Sequence, residues 1–297
     1  MKFPHVAELN QFIKEEHIFP DFKNAEEIFT GGNSYNFKIN TTNDTYFLKI
    51  FQSQNTFNKI KTLYLLYDML YHTQTENFAG YKFLVMPYYD GHKLRYTDCT
   101  TFQFWKNFFA SYNTLPSCQL PANFIEPMQN MLQLCAELEK IFSQSSGILN
   151  RFIYRHIWQR IKQDLIYLPT NNDLIHGDLT TNNILISADN KLHILDWEQL
   201  RYGYIVEDLC GLALELAGFR GLFGHTSRLK NIIKQMTQHI ALPKSQWIYG
   251  MQIFYINLLK RRLANDEKQS LRKQFCLLLI VYGYFRALKT LENVSIS

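Results

Sequence analysis

Apolar positions change rhythm twice along this chain. From Ile28 to Phe51 they fall in short runs rich in β-branched and aromatic residues, interrupted by Gly31-Gly32 and by Thr41-Thr42-Asn43-Asp44. That pattern predicts two strands and a hairpin turn. Ile60, Leu63, Leu66, Tyr67 and Leu70 then recur at helical spacing, and Tyr81–Pro87 returns to strand character ahead of Asp90-Gly91. Residues 1–91 therefore predict a small β-rich lobe with one helix. Beyond Gly91 helical periods dominate, over 127–142, 151–168, 207–217 and 271–291, so the second lobe, 92–297, reads as mainly helical. Between two of those helices lies a strand-rich island, residues 173–197. No internal repeat or low-complexity tract interrupts the pattern.

The island concentrates candidate chemistry. It holds the carboxylate of Asp178, the amide of Asn183 five residues later, and a second carboxylate, Asp196, thirteen beyond that. Residues 184–187 and 191–195 can pair as a hairpin across Ala188-Asp189-Asn190, which folds Asp196 back beside Asn183. Two oxygen ligands then converge on one point. A small hard cation such as Mg²⁺ takes oxygen ligands and is held by one or two protein groups together with phosphate oxygens and water. Asp178, displaced along the same loop, is placed to accept a proton from an attacking hydroxyl.

Composition narrows the picture. With 297 residues, 46% of them hydrophobic and 15% aromatic, the chain can fill a large core, and a charged fraction of 19% without blocks of like charge argues against disordered tails. The start, Met1 to Glu8, has no apolar core of signal-peptide length. The longest apolar stretch, Phe275–Phe285, falls well short of the ~20 residues of a membrane span. A cytoplasmic protein without a membrane span is expected. The cysteines at 99, 118, 135, 210 and 276 are scattered and never spaced as CxxC, and the histidines form no HExxH pair. Carboxylates and amides remain as metal ligands. The net charge of +5 comes from the C-terminal part, much of it from Lys260-Arg261-Arg262 and 268–273. These could meet an anionic partner, but no aromatic or RNA-binding motif accompanies them. A solvated helix face is favoured over nucleic acid.

His176-Gly177-Asp178 with Asn183, followed by Leu195-Asp196-Trp197-Glu198, resembles the HGDxxxxN and (I/L)DWE motifs of aminoglycoside phosphotransferases and of choline, ethanolamine and thiamine kinases. The resemblance implies an α+β, bilobal protein-kinase-like fold, with 1–91 as nucleotide-binding lobe and 92–297 as catalytic and acceptor-binding lobe. It implies ATP and Mg²⁺, with Asp178 as base and Asn183 and Asp196 as metal ligands. Thr30-Gly31-Gly32-Asn33-Ser34-Tyr35 resembles the phosphate-covering loop, with Asn33 and Ser34 both possible for the family's asparagine. Lys49 is the one charge in an apolar strand and is expected to reach the phosphates. Leu84–Gly91 resembles the hinge strand, with Met86 as gatekeeper, the Pro87 carbonyl as acceptor and the Tyr89 N–H as donor to adenine. Asp208 is expected to brace the catalytic loop and cap its own helix.

The match departs in one place. The helix expected over 55–71 carries Lys59, Lys61 and Asp68 but no glutamate to hold Lys49, with Asn58 as a neutral substitute. An inactive nucleotide-binding pseudokinase therefore stays open as an alternative. No activation segment follows Asp196, which sets protein kinases aside. The expected partner is a small-molecule hydroxyl acceptor, with Glu198, Glu215 and Trp247 as contact candidates, and Glu207, Trp158, Tyr249 and Tyr255 behind them. An aromatic cage would suit a quaternary ammonium, though each aromatic could equally be core. A polycationic antibiotic would want an acidic wall in a lobe that is net basic. Amino-alcohols such as choline or ethanolamine, or a related metabolite, rank above aminoglycosides.

Overall fold

The computed structural model describes residues 6–19, 21–31, 34–51, 53–66, 72–78, 81–113, 128, 130–144, 158–169, 173–219, 224–264 and 271–294. Among them the chain divides into two compact units at Asp90/Gly91.

The smaller unit runs α1 (Val6–Glu15), β1 (Phe22–Gly31), β2 (Ser34–Thr41), β3 (Thr45–Phe51), α2 (Gln54–Leu66), β4 (His72–Phe78) and β5 (Tyr81–Pro87). Its strands form one five-stranded antiparallel sheet in the order β1-β2-β3-β5-β4. Register explains the core. Leu48 pairs with Phe37 on one side and Val85 on the other, and Ile50 pairs with Phe83. With a side-chain period of two, these residues share one face, where Leu9 and Ile13 of α1 and Phe19 cover them. Lys49, between Leu48 and Ile50, belongs to the opposite face. There Phe51 meets Phe57 of α2 edge to face at 5.8 Å, and Ile60 is buried. The unit thus holds two helices where one was expected, and its sheet gains β1 residues before Ile28 as well as all of β4. Both additions are polar, Phe22–Glu27 and His72–Glu76, so neither shows the alternation that marks a half-buried strand.

The larger unit follows with β6 (Gly91–Lys93), α3 (Phe102–Tyr112), α4 (Met131–Gln144), α5 (Gln159–Gln163), β7 (Leu174–Ile175), β8 (Ile184–Ser187), β9 (Leu192–Ile194), β10 (Arg201–Tyr202), α6 (Ile205–Leu216), α7 (Thr226–Met236), α8 (Lys244–Ala264) and α9 (Leu271–Glu292). Two small antiparallel sheets, β6-β8-β9 and β10-β7, sit among the helices. In α3 the Thr101 hydroxyl accepts from the Phe104 N–H at 3.2 Å as an N-cap. The helix buries Trp105, Phe108, Phe109 and Tyr112, one face at helical spacing. The centre of the unit is α6, buried without interruption from Val206 to Leu214. It accepts α8 closely because position 250 is glycine: a Cβ there would lie 2.4 Å from the Val206 carbonyl oxygen. The expected helix over 151–168 is helical only through Gln159–Gln163 among its described residues; 151–157 lie outside them. The apolar run 275–285 falls inside α9, and no helix among the described residues is long and apolar enough to cross a membrane.

The observed class is the expected one, α+β with an antiparallel sheet in the small unit and helices dominating the large one.

Candidate active site

The strand-rich island folds as its sequence predicts. β8 and β9 pair antiparallel, Ile184 opposite Ile194 and Ile186 opposite Leu192, and the turn closes at 188–190 with Asn190 in the left-handed region. The ladder ends on the bond from the Leu195 N–H to the Asn183 carbonyl, 2.8 Å. Asp196 therefore follows directly on the residue that faces Asn183. Its own backbone is left-handed, φ 63° and ψ 56°, a conformation that costs a non-glycine residue about 1–3 kcal/mol and concentrates at functional sites. The turn is fixed from behind by the Trp197 indole, which donates to the Ile194 carbonyl at 3.1 Å.

Asp178 is tied to the same point. The Asn183 side-chain amide donates to the Asp178 carbonyl at 2.9 Å, which turns its own carbonyl oxygen the other way. His176, fully buried, accepts from the Asp178 N–H at Nδ1 (3.3 Å) and meets the Leu195 carbonyl at Nε2 (2.7 Å). These partners select the neutral tautomer protonated at Nε2, and the ring packs 4.5 Å from Trp197. One imidazole thus couples the loop of Asp178 to the loop of Asp196. Gly177 has φ +81°, and a Cβ on it would lie 2.1 Å from the Gln199 carbonyl oxygen, so no other residue fits between the motif's histidine and aspartate.

A second layer holds this loop. Asp208, buried in α6, accepts from the His176 N–H at 2.7 Å, the Gly177 N–H at 3.0 Å and the Tyr112 hydroxyl at 2.7 Å. Burial first, and then the Asp208 charge, push the Tyr112 hydroxyl well above its usual range, which keeps it a donor. The expected brace is present, but the cap of α6 comes from its neighbour: Glu207 accepts from the Tyr204 N–H at 2.8 Å. Glu207 is also in a buried ion pair with Arg201, 2.6 Å apart. Glu215 accepts from the Thr181 N–H at 3.0 Å. Tyr112 and Arg201 carried no local signal in the sequence, since neither sits in a motif and Tyr112 lies far upstream of the loop it supports.

A cavity of about 220 Å³ opens beside Asp178, between Gly177–Thr180, the start of α6 (Glu207, Asp208, Gly211) and the second half of α8 (Ile253, Phe254, Asn257, Leu258, Arg261). Arg261 places Nη2 4.0 Å from Asp178 Oδ1. The proposed contact residues lie elsewhere. Trp247 is fully buried, and Trp158, Tyr249 and Tyr255 are nearly so, which makes them core and leaves no aromatic cage of these four. Glu198, in the one-turn helix Trp197–Gln199, and Glu215 do not line the cavity either.

In the small unit, Lys49 is 6% exposed, with Nζ 5.7 Å from the Phe51 ring centre. No acidic residue occurs in α2, so the glutamate missing from the sequence is not replaced there; Asp68 lies outside the described residues. Gly31 ends β1 and pairs with Ser34 at the start of β2, while Gly32 and Asn33 lie outside the described residues. Met86 is buried opposite Phe47, Pro87 is exposed opposite Tyr46, and Tyr89 is half-buried.

Among the described residues no three His, Cys, Asp or Glu side chains gather as a metal cluster. The Asn183 amide oxygen and the Asp196 carboxylate are hard donors, in the number Mg²⁺ draws from protein when phosphate and water complete its shell. The donor set fits that ion.

Residues 26–226 match the phosphotransferase enzyme family (APH). Among curated proteins none matches the chain. Solved structures with the same fold include an aminoglycoside phosphotransferase from Alicyclobacillus acidocaldarius, at 11% identity over 98% of this chain and 96% of that one, TM-score 0.66. Spectinomycin phosphotransferase APH(9)-Ia, in complex with ADP and spectinomycin, aligns at 14% over 97% and 100%, TM-score 0.64. Choline kinase LicA from Streptococcus pneumoniae aligns at 14% over 96% and 99%, TM-score 0.54. The family match runs unbroken from β1 through the Lys49 strand, the 176–196 loops and the whole of α6, and the chain belongs to the phosphotransferase enzyme family.

Proposed function

We propose that the protein is an ATP- and Mg²⁺-dependent phosphotransferase that moves the γ-phosphoryl group to a hydroxyl of a small molecule bound in the cavity beside Asp178. The observation that carries this reading is the hydrogen-bonded unit of His176, Asp178, Asn183 and Leu195, which sets a carboxylate base and two oxygen ligands within one short stretch of backbone. ATP as donor draws support from the family match and from ADP in the spectinomycin phosphotransferase complex.

Asp178 orients the acceptor hydroxyl and takes its proton as the oxygen attacks. A bond forms from that oxygen to the γ-phosphorus, the bridging bond to the β-phosphate breaks, and ADP leaves with the electron pair. Asn183 and Asp196 would hold the cation, and Lys49 would steady the phosphates. Mg²⁺, when bound, neutralises charge on the phosphate oxygens. Asp208 and His176 keep the loop in place through its backbone. A second reading, a nucleotide-binding protein without turnover, is favoured by α2 carrying no glutamate, where active kinases of related fold keep one.

ADP release over a panel of hydroxyl compounds separates the two. Active enzyme is expected to turn over at least one acceptor, and Asp178→Asn to lower that rate by about 10²–10⁴-fold with ATP binding retained. ATP binding with no Asp178-dependent turnover on any acceptor would establish the second reading.

A further inference from the structure

Among the described residues lining the cavity beside Asp178, the acidic ones are Asp178, Glu207 and Asp208 and the basic ones Arg201 and Arg261. Glu207 and Arg201 neutralise each other at 2.6 Å with both side chains buried. Asp208 is spent on two backbone N–H groups and the Tyr112 hydroxyl. Arg261, an exposed residue near the end of α8, lies 4.0 Å from Asp178. The neighbouring base of the same run behaves differently: Lys260 pairs with Glu137 of α4. Arg261 of the same run lines the cavity.

A contact of this length with one partner largely solvated is a weak ion pair, so Arg261 is not committed to Asp178. A guanidinium is a planar fork suited to carboxylate or phosphate. A cationic acceptor would bring its charge beside Arg261 while the carboxylate that could compensate, Asp178, is engaged with the hydroxyl. An anionic group on the acceptor meets Arg261 and relieves the repulsion it would otherwise feel from Asp178.

We propose that Arg261 is a specificity-determining residue of the acceptor cavity, and that the acceptor carries a carboxylate or phosphate close to the hydroxyl it presents to Asp178. This deepens the phosphotransferase reading and rests on it for the hydroxyl's fate, but not for the binding preference. It also replaces the amino-alcohol expected from sequence, whose aromatic cage is buried core.

Four three-carbon probes with the same diol test it: glycerate, glycerol 3-phosphate, glycerol and 3-amino-1,2-propanediol. Their affinities for the full chain are measured by calorimetry, and ADP release is measured separately with ATP and Mg²⁺. At least one anionic probe is expected to bind about tenfold or more tighter than glycerol, as a charge-assisted contact provides, with the amine weakest; the stronger anion identifies carboxylate or phosphate. Arg261→Gln should bring the anions to within about twofold of glycerol, and Arg261→Glu should raise the amine above it. Thermal melts of the variants check that this exposed position leaves the fold intact. The proposal is overturned if the amine binds tightest in the unaltered protein, if the ranking survives both substitutions, or if no probe binds. Anion-selective binding lost in Arg261→Gln, with no ADP release on any acceptor, would instead sink phosphoryl transfer and leave the cavity assignment standing.

Discussion

Asp196 shows how much a single residue's conformation can carry. A left-handed backbone at a non-glycine position persists only where its surroundings over-determine it, and here the Leu195 N–H, the Trp197 indole and the buried His176 ring do so. The carboxylate is thereby aimed by the fold and not by rotamer choice alone. Asp196→Ala is expected to keep the melting temperature within a few degrees, because the side chain is half-buried and the backbone bonds remain, while Mg²⁺-dependent ADP release falls by about 10²-fold or more. Near-normal turnover across a Mg²⁺ titration would remove the metal assignment. The motif residues themselves were legible in the sequence, since all lie within the single stretch 176–198. Arg261 was not: it is distant from Asp178 in sequence, and its run reads as a solvated basic face until α8 is laid against the loop of Asp178.

At the scale of elements, legibility followed amphipathic contrast. The 184–194 hairpin sets two short runs rich in apolar residues around a polar turn, and they pair as read. β1 and β4 are largely polar strands, so their periods are blurred. In α8 the same blur misplaces function, because aromatic residues there suit a cage as well as a core. Trp247 tests the distinction. Fully buried, it should cost about 3–5 kcal/mol of stability when changed to Ala, read from denaturant unfolding, with the KM for acceptor unchanged in the folded fraction. A raised KM without loss of stability would return Trp247 to the acceptor wall.

Across the whole molecule, buried tyrosines set an alkaline limit. Burial raises the hydroxyls of Tyr112, Tyr249, Tyr255 and Tyr284 above the ordinary value, that of Tyr284 to about 12. A raised folded pKa means that the folded state holds its protons where the unfolded chain, near ~10, has begun to lose them. Stability from these groups is complete below that pH and declines as pH rises towards the folded values. Unfolding midpoints should therefore be flat in this contribution up to about pH 10 and fall above it, with tyrosinate absorbance from these residues appearing together with loss of helix by circular dichroism. Absorbance from all eighteen tyrosines well before any loss of helix would contradict the burial.

Sequence alone determined the α+β class, the two-part organisation and the spacing of the proposed base and metal ligands, because all three rest on periodicity or on residues close along the chain. Tertiary structure decided which partner each polar group meets. Glu207, Glu215 and Asp208 look equivalent to Asp178 as carboxylates in a string of letters. Only the packing of α6 and α8 around the loop commits the first three to Arg201, Thr181 and the 176–177 backbone, and brings Arg261 to the fourth.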